Sequence, residues 1–369
     1  MKVLLVITSL SVGGAERLVT SLADEYVANG HEVILVRFHG DEEVRPSDSR
    51  VRLVNLEMQR SPLGVLTAMV RLRFLIRSFR ADVINSHLVH ANILIRVLRL
   101  VTPMSRLVNS MHNSNEEGLG RMLAYRLTDH LADVCTNVSQ EAVEAFERQG
   151  ALKPGRMLAI HNGIDTESFV FDSDERQRVR TELGLAENTS LLLAVGRLSD
   201  AKDYPNLLRA FARLEACPMV PQLVIVGDGP LRHDLEALAD SHGIKDRVRF
   251  LGVRHDVPEL MSACDLFVLS SAWEGFGLVV AEAMSCRRPV VATDCGGVRE
   301  VVGSAGFLVP PKDSAALGEA IERALGLSNE RREKLGAAAR ERVVERYSLQ
   351  ATAERYLAVY GNDNHISKE

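Results

Sequence analysis

The stretch AWEGFGLVVAEAMSC, residues 272–286, carries two glutamates, Glu274 and Glu282, with seven residues between them. The first sits in a loop of glycine and aromatic residues, the second among Val279, Val280, Ala281 and Ala283. A carboxylate in such an apolar run needs something polar to meet it. Gly275 and Gly277 let a backbone approach a ligand closely, and a helix opening near Gly277 points its N-terminus outward. Carboxylates accept hydrogen bonds from sugar hydroxyls. Each glutamate can therefore hold one sugar ring while the helix end holds phosphates between them. The structural alternative for Glu282 is an ion pair with Arg287 or Arg288.

Other residues suit the same chemistry. Arg197 follows an apolar run directly, and Lys202 stands five residues on. An arginine fork and a lysine point charge on one loop suit a diphosphate. Gly13 and Gly14 close the first loop at the start of a helix, a second N-terminus able to meet an anion. Gly227 and Gly229, in VGDGPLRHD, read as a structural turn, because Pro230 follows and the G-x-G-x-x-G fingerprint is absent. Asp172-Ser173-Asp174 spells a possible metal motif but opens a helix, where such residues cap, so no metal site is expected. Five scattered cysteines, Cys135, Cys217, Cys264, Cys286 and Cys295, show no paired spacing and suit a reducing compartment.

These residues need rigid elements to hold them. Short apolar runs at 2–7, 32–36, 51–55, 82–85, 106–109, 134–137 and 157–160 alternate with helical patterns. The rhythm restarts at 190–195, 222–226, 247–250, 266–269, 289–292 and 307–309. Continuous apolar strands separated by helices imply parallel sheets covered on both faces. The expected fold is α/β, with two doubly wound, Rossmann-like domains facing a central cleft. Ligands in such folds bind beyond the carboxyl ends of the strands, where the residues above fall. The expected division is 1–168, 169–345, and a last helix over 346–369 crossing back to the first domain.

GGAER after the first strand, GRLSDAK, and EGFGLVVAE together resemble the retaining glycosyltransferases of family four, which have the GT-B fold. The likeness is strongest over 190–309, including LGVRHDVPELMSACDLFVLSS and PVVATDCGGVREVV; the first domain shares its layout, VGGAE and IHNGID. The resemblance implies that Arg197 and Lys202 neutralise a nucleotide diphosphate, that Glu274 contacts the transferred sugar, and that Glu282 holds the ribose. It implies backbone contacts from Gly13, Gly14 and the loop Gly275, Phe276, Gly277 and Leu278. His112, in SMHNSNE, is placed against the donor sugar. On the acceptor side it places His87, in a second post-strand loop, with Glu16 and Asn162, while His90 reads as a surface residue or helix packing. The donor is expected to be a nucleotide sugar, UDP favoured over GDP, with no cofactor and no metal.

The net charge is −5, yet from Arg60 to Arg106 eight arginines face one acid, Asp82. VLTAMVRLRFLIRSFR, at 65–80, is an apolar, cationic helix of the kind that lies on anionic membranes. Residues 65–106 are thus expected to touch such a surface at the cytoplasmic face. No run approaches the roughly 18 apolar residues of a membrane span, and nothing reads as a secretion signal. The expected partners are a nucleotide sugar and a saccharide or lipid-linked saccharide, as in surface-polysaccharide assembly, and no nucleic acid. Two rivals share the architecture: a sugar-nucleotide epimerase and a non-catalytic nucleotide-sugar-binding protein. A nicotinamide dehydrogenase is the third and weakest rival, for want of the glycine fingerprint and its acidic partner.

Overall fold

The computed structural model describes residues 1–11, 13–40, 42–113, 118–186, 188–216 and 221–361. Cys217 lies outside them. The chain forms two units: Met1–Gly163 together with the chain from Leu349 onward, and Ile164–Ser348. The division thus falls five residues earlier at the first crossing, and three later at the second, than the sequence suggests.

The sheet of the first unit contains β1 (Lys2–Ile7), β2 (Glu32–Arg37), β3 (Arg52–Asn55), β4 (Val83–His87), β5 (Leu107–Ser110), β6 (Val134–Asn137) and β7 (Met157–Ala159). Their order is β3-β2-β1-β4-β5-β6-β7, and every pairing is parallel. The second unit repeats the plan with β8 (Leu191–Val195), β9 (Gln222–Val226), β10 (Val248–Phe250), β11 (Leu266–Leu269), β12 (Val290–Thr293) and β13 (Phe307–Val309). Its order is β10-β9-β8-β11-β12-β13. Each sheet reverses its winding once, between β1 and β4 and between β8 and β11. The loops leaving those strands border the crevice where doubly wound sheets take ligands.

The strands read as apolar runs because both faces of each sheet are covered. In the first unit one face packs against α1 (Gly14–Ala28) and the last helix, Leu349–Gly361, whose Ala353, Tyr356, Val359 and Tyr360 are buried in that core. The other face packs against α2 (Pro62–Phe79) and α3 (Val89–Arg99). Ser61 caps α2 by accepting from the Gly64 amide at 3.1 Å, Pro62 occupies the first turn, and Arg80 ends the helix in the left-handed region. Ala68, Leu72, Leu75, Ile76 and Phe79 bury one side of α2. The opposite side is also apolar, but exposed: Leu63 by 73%, Leu66 by 60%, Val70 by 59% and Phe74 by 74%.

One arginine of the basic segment departs from expectation. Arg96 does not face a surface; it is fully buried beneath the sheet. Its Nε donates to Asn109 Oδ1 at 2.6 Å, and its terminal nitrogens donate to the Tyr125 carbonyl, Thr128 Oγ1 and Cys135 Sγ. Its guanidinium also lies 5.0 Å from the centre of the Tyr125 ring. The physical reason is local. Ser86, Asn109 and Cys135 stand in one row across β4, β5 and β6, and Asn109 Nδ2 donates to Ser86 Oγ at 2.6 Å. A buried polar row of this kind needs a donor-rich partner, and α3 supplies it. Arg96→Ala would leave several buried acceptors unpaired, at a cost of about 3 kcal/mol or more. Urea unfolding followed by circular dichroism measures this, and an unchanged first midpoint would refute the account.

Candidate active site

In the second unit the loops after β8 and β11 meet at the winding reversal. Lys202 Nζ and Glu274 Oε1 form an ion pair at 2.5 Å, both side chains largely enclosed. Ser271 Oγ donates to the same carboxylate oxygen at 2.6 Å. Ser271 is itself buried, and its carbonyl accepts from Thr293 Oγ1 at 2.7 Å. The sequence did not single out Ser271; its signal was the Ser-Ser pair between a buried strand and the glycine loop. The Ser270 hydroxyl donates to the Lys202 carbonyl at 2.8 Å, so β11 supports both partners of the pair.

Glycines set this geometry by letting backbones touch. A Cβ on Gly296, whose φ is +56°, would fall on the carbonyl oxygen of Glu274. A Cβ on Gly227 would fall on the Gly196 carbonyl, and one on Gly229 on that of Leu198. The VGDGP turn is therefore structural. It braces the loop carrying Arg197, with Leu198 N donating to the Asp228 carbonyl at 3.0 Å. The Tyr204 hydroxyl donates to the Gly196 carbonyl at 3.0 Å and completes that support. Burial, reinforced by the charge of Glu274, pushes the Tyr204 phenol up in pKa, so it remains a donor. Arg197 is exposed, with no carboxylate in salt-bridge reach among the described residues.

The helix after the glycine loop is Leu278–Ser285, with Gly277 at its N-cap in the left-handed region and no capping side chain. Glu282 lies just past its first turn, half-buried. Phe276 does not face outward. Its ring is buried and meets Tyr347 edge-on at 5.5 Å, so its side chain anchors the loop and only its backbone can meet a ligand. Asp172 accepts from the amides of Asp174 and Glu175 as the N-cap of Ser173–Glu182.

In the first unit Gly13 is the N-cap of α1, and the Glu16 carboxylate curls back over it. Ser11 Oγ donates to Glu16 Oε1 at 3.3 Å. His87 is not in a loop: it is the last residue of β4, fully buried, and its Nδ1 lies 3.1 Å from His112 Nε2. Histidines that the sequence assigns to opposite substrates thus form one pair. Burial lowers the pKa of His112 to about 4, and burial together with His112 lowers that of His87, so both imidazoles are neutral and one donates to the other. The outer nitrogens, His87 Nε2 and His112 Nδ1, are enclosed without a partner among the described residues. Asn162 follows the edge strand β7, away from the winding reversal, and is buried, its Oδ1 without a partner among the described residues.

Two parallel-sheet α/β units carrying these loops at their winding reversals have the GT-B architecture. HepE from Anabaena, solved in complex with UDP, matches with a TM-score of 0.86 at 25% identity, over 98% of this chain and 100% of that one. Residues 12–168 match the family described as Glycosyltransferase Family 4, and residues 175–342 match that described as Glycosyl transferases group 1. The chain belongs to this glycosyltransferase family. The alpha-D-kanosaminyltransferase of Streptomyces kanamyceticus is 33% identical over 238 residues, which is 63% of this chain and 58% of that protein's length. The UDP-Gal:alpha-D-GlcNAc-diphosphoundecaprenol alpha-1,3-galactosyltransferase of Escherichia coli is 27% identical over 270 residues, 70% of each chain.

The neutral histidine pair has a pH signature. As pH falls from 6.5 toward 4 the unfolded chain takes up protons that the native pair refuses, so stability falls across that window. Above 6.5 the pair contributes no slope. Urea midpoints between pH 7.5 and 5, values bracketing the imidazole range, are expected to fall more steeply in the wild type than in His87→Gln/His112→Gln. Equal slopes would show that the pair is not held neutral.

Proposed function

We propose that this chain transfers a sugar, with retention of configuration and without a metal, from a nucleoside diphosphate onto a hydroxyl of a saccharide or lipid-linked saccharide. The observation that carries this reading is the cluster at the winding reversal of the second unit. There an exposed arginine, a paired lysine and glutamate, and an uncapped helix N-terminus converge on two adjacent loops. Arg197 and Lys202 take the diphosphate, Glu274 the transferred sugar and Glu282 the ribose. Without ligand, Lys202 and Glu274 neutralise each other. An arriving diphosphate competes for the lysine and frees the carboxylate for sugar hydroxyls. UDP is the favoured carrier, supported by the UDP complex of Anabaena HepE.

In the reaction the bond from the anomeric carbon to the β-phosphate oxygen breaks while the acceptor oxygen bonds to that carbon on the same face. The acceptor proton passes to the departing phosphate oxygen. Negative charge grows on the diphosphate, where Arg197, Lys202 and the helix amides are already oriented to receive it. Two observations support a metal-free route: Arg197 and Lys202 bring two cations to the loop after β8, and Asp172 is committed to a helix cap. The neutral pair His87–His112, together with Glu16, serves the first unit's share of the substrates.

The exposed side of α2 is proposed as the contact with an anionic membrane surface. Its apolar stripe is flanked by Arg73 and Arg77, and the helix holds no acid. Arg96, being buried, takes no part in that contact. Among the described residues no helix is long and apolar enough to cross a membrane.

Thermal stabilisation by a panel of nucleotide sugars, in EDTA, tests the donor site. One donor is expected to stabilise the wild type and to lose its effect in Arg197→Ala and Glu282→Ala. With that donor, Arg197→Ala is expected to lower turnover by roughly 10²–10³. No shift with any nucleotide sugar or free nucleotide would end this reading. Vesicles containing anionic lipid, at low salt, are expected to retain the wild type and to release Val70→Ser/Phe74→Ser. A wild type indifferent to them would remove the membrane contact alone.

A further inference from the structure

A pocket of about 830 Å³ opens in the first unit at the carboxyl ends of β1, β2 and β4. Met58, Val65, Val89, Ile93, Leu94 and Ala124 give it apolar walls, drawn from α2, α3 and α4 (Leu119–Thr128) and the approach to α2. Every charged or titratable group among its described lining residues is basic: His39, Arg60, His90 and Arg121. These groups crowd one another. Partial burial, then the charges of Arg121, His39 and Arg60, hold the His90 imidazole below its ordinary pKa. Thr8, at the end of β1, also lines the pocket, and its buried hydroxyl has no partner among the described residues.

An apolar cavity is well served by a hydrocarbon ligand, and a ring of cations by an anion. A site offering both in one pocket is matched by one molecule that carries both. The volume lies within the ordinary range for small-molecule sites, roughly 300–1,000 Å³. Val65, on the pocket wall, belongs to α2, whose exposed stripe begins at Leu63 and Leu66.

We infer that this pocket binds the acceptor through its lipid phosphate: a long-chain lipid ester of phosphate or diphosphate, with the first carbons of its chain against Ile93, Leu94 and Val65. Arg60 and Arg121 grip the phosphate oxygens and Thr8 donates to one of them. This rests on reading the first unit as the acceptor side. His90 becomes a ligand-facing residue, which the sequence reading assigned to the surface or to helix packing.

Decyl diphosphate, below its micelle concentration, is the probe. Its binding to the full chain is measured by calorimetry with saturating UDP, so that the donor loops are occupied. It is expected to bind at least tenfold more tightly than decanol or inorganic diphosphate. Arg60→Gln/Arg121→Gln, at exposed positions, and Ile93→Trp, which fills the cavity, are each expected to cost tenfold or more. Thermal stabilisation by UDP should stay unchanged in both. Binding of decanol equal to decyl diphosphate would reduce the site to an apolar cavity and overturn the inference. Inorganic diphosphate binding as tightly would make it a plain phosphate site, with the same result. Undetectable binding, or affinity unmoved in the arginine variant, would also overturn it. Failure of UDP itself to bind is read separately and strikes the donor reading instead.

Discussion

The ion pair between Lys202 and Glu274 joins the two loops that flank the only reversal of winding in the second sheet. Much of that unit serves to make it possible. A lysine on the loop after β8 reaches a glutamate after β11 because β8 and β11 are neighbours, although more than 60 residues separate them. Gly227 and Gly229 let a third loop press directly on the backbone beside Arg197, and Gly296 lets a fourth press on Glu274. Side chains at these glycines would wedge the loops apart. The pair is thus held by backbone contact, with Tyr204 and Ser271 fixing it further. Its own net stabilising contribution is small, since withdrawing both charges from water offsets most of their attraction. Its value is in fixing a cation and a carboxylate side by side at the winding reversal of the sheet.

The first unit solves a different problem at the same place in its sheet. The ends of β4, β5 and β6 read Asn-Ser-His, Asn-Ser and Thr-Asn, and all seven residues are buried. Alternation along each strand sends them to opposite faces. Ser86, Asn109 and Cys135 turn toward Arg96. Asn85, Ser110 and Thr136 turn toward the last helix, where the Tyr360 hydroxyl accepts from Asn85 Nδ2 at 2.7 Å and Tyr356 bonds to Ser110 Oγ at 3.3 Å. A polar layer sealed on both sides is rigid, because moving any member strands its partners. His87 stands at the rim of that layer and hands its position on to His112.

This division explains what could be read from the sequence. The thirteen strands were legible because burial on both faces makes each an apolar run, and the register of errors is informative. The ends of β2, β4 and β5 run one or two residues past the apolar stretch, into Arg37, His87 and Ser110. Polar residues at the carboxyl end of a strand look like loop, yet here they continue the parallel pairing. The second unit's candidate cluster could be picked out because its residues lie on two short loops and the helix that follows, with distinctive spacing. The pocket around His90 was not, since its walls come from separate helices that share no pattern along the chain. Arg96 was misread for the same reason: helical spacing reports which side a residue takes, but not that Asn109, Tyr125, Thr128 and Cys135 wait there.

The path of the chain binds these features together. The second unit is an insertion: the chain leaves the first unit after Gly163 and re-enters it at Leu349. Those two residues touch, and a Cβ on Gly163 would collide with the backbone of Leu349. The helix that then follows covers the polar layer. Until residues 349–361 arrive, Asn85 and Ser110 lack their tyrosine partners, and the core that includes Tyr26 and Val108 lacks one wall. Leaving such groups open costs more than any single contact returns. The first unit therefore reaches its final packing only after the second has been made, although nearly all of its sequence comes first. An arrangement of this kind ties the histidine pair to the completeness of the whole chain, because Tyr356 packs 6.5 Å from the His87 ring. The tyrosines of the last helix are in that sense part of the site, without standing where a substrate could touch them.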